Sequence, residues 1–140
     1  MKRITIKEAE RFHGHLGPYL ILGILAGEIA LKKLKCKKYF GLQVKVWGVN
    51  KKPKSCLIDG LQLSTGATYG KGNIKKFSAA HIKIEIIASE KKKKIIFRLK
   101  DNLVRKLEEL KTHKDSELFA QEIYKKDVSQ IFLPTGRQEL

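Results

Sequence analysis

Two histidines separated by a single glycine, His13-Gly14-His15, stand just ahead of a proline and an apolar run in the stretch RFHGHLGPYL. Side chains at i and i+2 of an extended segment point to the same side. Two imidazoles aimed at one spot hold a divalent metal, or work as an acid and a base. Gly14 between them leaves room for a ligand or another backbone to approach. The second chemical signal is Cys56-Leu57-Ile58-Asp59. With Ser55 as N-cap, the Cys56 thiol would lie at the positive end of a helix dipole, a position that lowers a thiol's pKa. Asp59, one turn on, shares a face with Cys56. The two motifs together offer nitrogen, sulfur and oxygen donors, a set that suits zinc or a similar transition metal. The expected ligands are therefore His13, His15, Cys56 and Asp59, with both imidazoles facing inward toward the ion. The plainer alternatives are one histidine in the core with the other in water, and a buried, inert cysteine. Cys36, among lysines at a helix end, reads as structural.

A third stretch, Ser64-Thr65-Gly66-Ala67-Thr68-Tyr69-Gly70-Lys71-Gly72-Asn73, imitates a phosphate-binding loop. The Walker pattern needs four residues between its glycines and Ser or Thr after the lysine. Here three residues separate Gly66 and Gly70, and Gly72 follows Lys71, so a nucleotide triphosphatase is rejected. The loop could still offer N–H groups and the Lys71 charge to an anion.

The elements that must carry these residues are legible in part. Pro18 to Lys35 reads as a helix, opened by proline at its first position and closed by lysines that suit its negative end. Gly23 and Gly27 recur on one face of it, a smooth strip for another backbone to approach, in the same chain or across a dimer. Leu42–Trp47 alternates as a strand, and Cys56 to Leu63 reads as a short helix capped by Ser55. Ser64 to Gly72 reads as irregular. Ala80–Ala88 and Lys94–Leu99 form a β-hairpin. Asp101 caps a helix bearing Leu103, Leu107 and Leu110, and a second short helix runs from about Ser116 to Lys125. After Val128 the chain is expected to be extended and loose. The expectation is one α+β domain over residues 1–140, with helices packed on an antiparallel or mixed sheet.

Composition narrows the function classes. The chain has 140 residues, 30 Lys and Arg against 14 Asp and Glu, and a net charge of +16. Such a field attracts anions. The lysines nonetheless scatter over turns and strand ends, where they solubilise and block edge pairing. No stacking pair or nucleic-acid motif accompanies them, so a nucleic-acid partner is not expected. A lysine- and isoleucine-rich chain with few glutamines also fits a heat-adapted proteome. No apolar run reaches the roughly 20 residues of a membrane span, and no signal-peptide pattern opens the chain, so no membrane and a cytoplasmic location are expected. Two cysteines make no disulfide framework.

FHGHLGPYLILG and SCLIDGLQLSTGATYGKGNI, at their spacing, resemble the FmdE family of formylmethanofuran dehydrogenase over about residues 8 to 100. The resemblance implies an α+β core whose active site combines His13, His15 and Cys56. Asp59, Gln62, Thr65, Lys71 and Asn73 are the matching motif positions beside them, so Gln62, Thr65, Lys71 and Asn73 are expected to touch a cofactor. It also implies a metal at this place and a homodimer. The family takes its name from a molybdenum or tungsten enzyme that reduces carbon dioxide onto methanofuran, so other components of that dehydrogenase are implied as partners. Two departures stand out. Many members carry a cysteine where this chain has Ala67, and many append a C-terminal zinc ribbon that this cysteine-poor sequence lacks.

The resulting expectation is a metal-binding accessory or redox-associated protein of one-carbon metabolism, with a zinc-type ion on His13, His15 and Cys56. If it is catalytic, Cys56 and His15 would act, a thiolate or metal-bound water would be the nucleophile, and Lys71 would anchor an anion. The competing expectation is a non-catalytic basic module that docks an acidic protein or an anionic small molecule.

Overall fold

In the computed structural model, residues 2–134 and the backbone of 137–139 are described; the remainder of the tail expected to be extended lies outside the described residues. The chain runs α1 (Ile6–His13), α2 (Pro18–Leu34), β1 (Leu42–Trp47), α3 (Cys56–Thr65), β2 (Ile74–Phe77), β3 (Lys83–Ala88), β4 (Lys93–Arg98), α4 (Asp101–Glu109), α5 (His113–Lys125) and β5 (Arg137–Glu139). A 3-10 turn at Val128–Gln130 links α5 to the tail. The strands form one mixed sheet in the order β2-β1-β3-β4-β5, so the α+β expectation holds.

Alternation builds the sheet. Leu42, Val44 and Val46 of β1 are buried, as are Ile84, Ile86 and Ala88 of β3, and the two strands pair antiparallel with Val44 opposite Ile86. Period-two burial places one face of each strand in the core and leaves the other to more polar neighbours. The expected hairpin is β3 and β4. β2 runs parallel to β1, and a parallel pair needs a crossover, which α3 supplies.

α2 is the central core element. Pro18 takes its first position, Lys35 closes it in a left-handed conformation, and 13 of its 17 residues are buried. A helix buried nearly all round must be covered on several sides. α3 and α5 flank it, and β3 and β4 lie beneath.

The α2–α3 contact settles the glycine strip: it packs within the chain. A Cβ on Gly23 would lie 2.8 Å from the Leu61 nitrogen and 3.0 Å from the Gly60 Cα, and would run into the Leu57 carbonyl oxygen. A Cβ on Gly60 would lie 2.9 Å from the Ile24 nitrogen. The Ser64 hydroxyl bridges the helices, within donating reach of the carbonyls of Gly60 (2.8 Å) and Gly23 (3.2 Å). Two backbones in direct contact fix the position of α3, and with it Cys56 and Asp59.

Several local expectations are corrected. α1 has no counterpart in the sequence reading, and His13 is its last residue rather than part of an extended segment. Thr5 and Glu8 close a reciprocal capping box at its start. β2 is a further addition: only Ile74 of its four residues is buried, so no alternation shows. α3 runs two residues beyond Leu63, and Ser55 makes no side-chain cap. Lys100, not Asp101, is the N-cap of α4, and α5 starts at His113 under a Thr112 cap, three residues before the expected start. Among the described residues no single helix is long and apolar enough to cross a membrane.

Candidate metal centre

Three elements converge on one point. α1 ends at His13, where Gly14 turns into the left-handed region (φ 106°) and donates its N–H to the Glu10 carbonyl. Nothing lies within 4 Å of a Cβ built on Gly14, so this position needs glycine for its φ rather than for close approach. The turn swings His15 back beside His13, with ring centroids 4.7 Å apart. α3, held against α2, brings Cys56. One ligand atom from each of His13, His15 and Cys56 lies within 4.8 Å of the others.

That spacing brings the three donors near a common point, and an ion with bonds of about 2.0–2.3 Å would draw them somewhat closer together. The donor set is two imidazoles and a thiol. Asp59, expected as a fourth ligand, stands one step back: its Oδ2 lies 2.6 Å from His13 Nδ1. A carboxylate accepts only, so in the neutral ring the Nδ1 carries the proton and Nε2 carries the lone pair. Nε2 of His13 is buried and has no hydrogen-bond partner among the described residues. A buried polar atom without a partner costs about 1–3 kcal/mol, and a metal ion would relieve that cost. A carboxylate on the far nitrogen of a ligating histidine is also the usual way its ring is oriented. The residues therefore fit a metal.

His13 is largely covered whereas His15 is exposed, so the two rings reach the common point from different depths. The exposed ring has a further neighbour: His113, the first residue of α5, with centroids 6.3 Å apart. A helix starting at Ser116 would leave His113 in a loop, and nothing in the sequence connects it to residues a hundred positions earlier.

The Cys56 thiol also differs from expectation. Burial pushes its pKa up, the Asp59 carboxylate adds to the rise, and Lys52 opposes it. The N–H groups at the start of the helix are taken by the loop before it. Cys56 N donates to the Pro53 carbonyl, Leu57 N to Lys54 and Ile58 N to Ser55. The loop before α3 thus satisfies the donors that would otherwise favour a thiolate. Cys36 is likewise half-buried, with its thiol raised by burial.

The glycine-punctuated loop after α3 is closed by its own side chains. Thr65 Oγ1 donates to the Leu61 carbonyl and accepts from Ala67 N–H. Gln62 Oε1 accepts from Tyr69 N–H at 3.3 Å. Asn73 Oδ1 accepts from Thr68 N–H, and its amide donates to the Tyr39 carbonyl at 2.7 Å. Lys71 Nζ donates to the Gly66 carbonyl (2.6 Å) and Thr68 Oγ1 (3.2 Å). All four expected cofactor contacts thus spend hydrogen bonds on shaping the loop. Tyr69 lies within the field of the Asp59 charge: burial raises its phenol pKa, and that charge adds to the rise. Cavities of about 690, 490 and 360 Å³ lie elsewhere and include none of the three donors.

A small α+β domain thus sets a covered, carboxylate-backed imidazole beside a second imidazole and a thiol, a donor group that could hold a metal ion. Its relatives define it more narrowly. The family model described as FmdE, molybdenum formylmethanofuran dehydrogenase operon, matches residues 12–134, and the chain belongs to that family. A crystal structure of a tungsten formylmethanofuran dehydrogenase FmdE-like protein from Syntrophus aciditrophicus is similar in fold. It has a TM-score of 0.56 and 17% identity, covering 100% of this chain and 78% of that one. No curated protein matches.

Proposed function

We propose that this protein binds a divalent metal, zinc by donor type, through His13 Nε2, the His15 ring and Cys56 Sγ, as an accessory or redox-associated component of one-carbon metabolism. The observation that carries the reading is His13 Nε2, buried and without a hydrogen-bond partner among the described residues, beside two further donors. Asp59 is a positioning residue that holds the His13 ring by its Nδ1. A bound ion would supply a Lewis acid and a site for one exogenous ligand, three protein ligands being the pattern of catalytic rather than structural zinc. The exposed His15 edge is the side from which such a ligand would enter, and the His113 ring lies beside it.

Family membership supports association with other formylmethanofuran dehydrogenase components, and a second copy of the chain is the other partner considered. Phe40, 79% exposed with Lys71 Nζ 5.4 Å from its ring, gives such a partner an apolar anchor. The test is metal analysis of purified protein beside His13→Ala and Cys56→Ala. One equivalent in the parent and loss in both variants is expected. Equal, substoichiometric metal in all three would end the proposal.

A further inference from the structure

On the opposite half of α2 from its proline end, a cavity of about 690 Å³ opens between α2, the N-terminal segment and the end of α5. Its lining holds seven cations against two carboxylates. Lys32 and Lys35 come from the end of α2, Lys38 from the following turn, and Lys125 and Lys126 from the end of α5. Among the described residues, none of these five ammonium groups has a carboxylate within 4.0 Å. The two acids are already engaged. Glu28 pairs with Arg3 at 3.6 Å and accepts the Ile4 N–H at 2.6 Å, and Asp127 accepts the Ser129 N–H at 3.2 Å.

The floor is apolar. Leu25, Ile29 and Leu31 of α2 lie there with Val128. An adjoining hollow of about 360 Å³ shares Ile29, Asp127 and Val128 with it and adds Lys100, so the depression is elongated. Lys38 Nζ lies over the Tyr39 ring at 5.4 Å and Lys126 Nζ over the Phe119 ring at 5.8 Å, but with no carboxylate beside them the five ammonium groups around an apolar floor repel one another. The volume falls within the range of small-molecule sites.

We propose that this cavity is a second binding site, separate from the metal centre, for a soluble organic molecule that carries at least two carboxylate or phosphate groups on an apolar body. The apolar body lies over Leu25, Ile29 and Val128, and the anionic groups meet Lys32, Lys35, Lys125 and Lys126. A concave floor of this size favours such a molecule over nucleic acid, which would need a track of charge and bases stacked on aromatic rings.

The probe is bis-ANS, which places two sulfonates on an aromatic body, titrated by fluorescence against the full chain at physiological salt. Saturable one-site binding is expected. Lys32→Gln with Lys126→Gln should weaken it by about five- to tenfold, the scale of two partly exposed ion pairs. The control pair Lys75→Gln with Lys76→Gln, exposed on β2, removes the same charge and should change it less than about twofold. Pyrophosphate, which has charge without an apolar body, should compete at least about tenfold more weakly than unlabelled bis-ANS analogues. His15→Ala should leave binding intact, which separates this site from the metal reading. Equal losses in the two lysine pairs would reduce the effect to the overall field and overturn the proposal. Equal competition by pyrophosphate would also overturn it, as would displacement by a single-stranded oligonucleotide or by anionic phosphatidylserine vesicles in place of soluble ligand.

Discussion

Gly23→Ala should loosen the metal centre from a distance. The added methyl would meet three backbone atoms of α3: the Leu57 carbonyl oxygen, the Leu61 nitrogen at 2.8 Å and the Gly60 Cα at 3.0 Å. Backbone cannot rotate aside as a side chain can, so α3 must shift away from α2. Overpacking of this kind costs about 1–3 kcal/mol, and the absence of a flexible neighbour argues for the upper end. Alanine's better helix propensity returns about 1 kcal/mol at most. The net loss is about 2 kcal/mol, or roughly 6–10 °C in Tm for a domain of this size. Because α3 carries Cys56 and Asp59, metal affinity should fall as well. The control is Gly70→Ala, where a Cβ would meet only Thr68 Oγ1 at 3.8 Å. Thermal unfolding by circular dichroism, with zinc titration of each variant, reads both effects. A Gly23→Ala protein that melts with the parent and binds metal equally would refute the close helix contact as the device that positions the thiol.

Asp59→Asn keeps the shape but weakens the hold on His13, and should lower metal affinity by about 10–100-fold without moving Tm of the metal-free protein by more than a few degrees. Competition with a chelator measures it, and unchanged affinity would mean that Asp59 does not orient the ring. Glu8 supplies a pH test of α1. The Thr5 N–H, with help from the Thr5 side chain, holds its carboxyl below the ordinary value. A depressed pKa contributes stability that is present above the unfolded value and lost as pH falls through the folded one. Glu8→Gln should therefore flatten the acid limb of the Tm–pH curve while leaving the curve near neutrality parallel. A limb as steep as the parent's would remove the capping box from the stability of the helix that ends in His13.

The long helix and the hairpin can be read from the sequence because each announces itself locally. Pro18 marks a start that its neighbours cannot dispute, and Ile82 to Ile86 alternates without interruption. α1 and β2 cannot be read by periodicity, since each buries a single residue, Ala9 in one and Ile74 in the other. The Thr5-x-x-Glu8 pattern does signal the start of α1, and Gly14 marks its end just after His13. The metal donors are legible as residue types, but what aligns them is not what their spacing suggests. Helix termination at Gly14, not an extended strand, aligns the imidazoles. The raised pKa of Cys56 comes from its burial and from the Asp59 carboxylate, and burial of one thiol at a helix start is not reported by any residue pattern. His113 illustrates the general limit: its place beside His15 depends on how α5 docks on α2.

The most direct measurement is X-ray absorption at the zinc edge of protein loaded with one equivalent of metal. One sulfur scatterer at about 2.3 Å and two imidazole nitrogens at about 2.0–2.1 Å are expected, with the sulfur lost in Cys56→Ala. A first shell of light atoms only, unchanged by that substitution, would show that the thiol and the two rings do not share an ion.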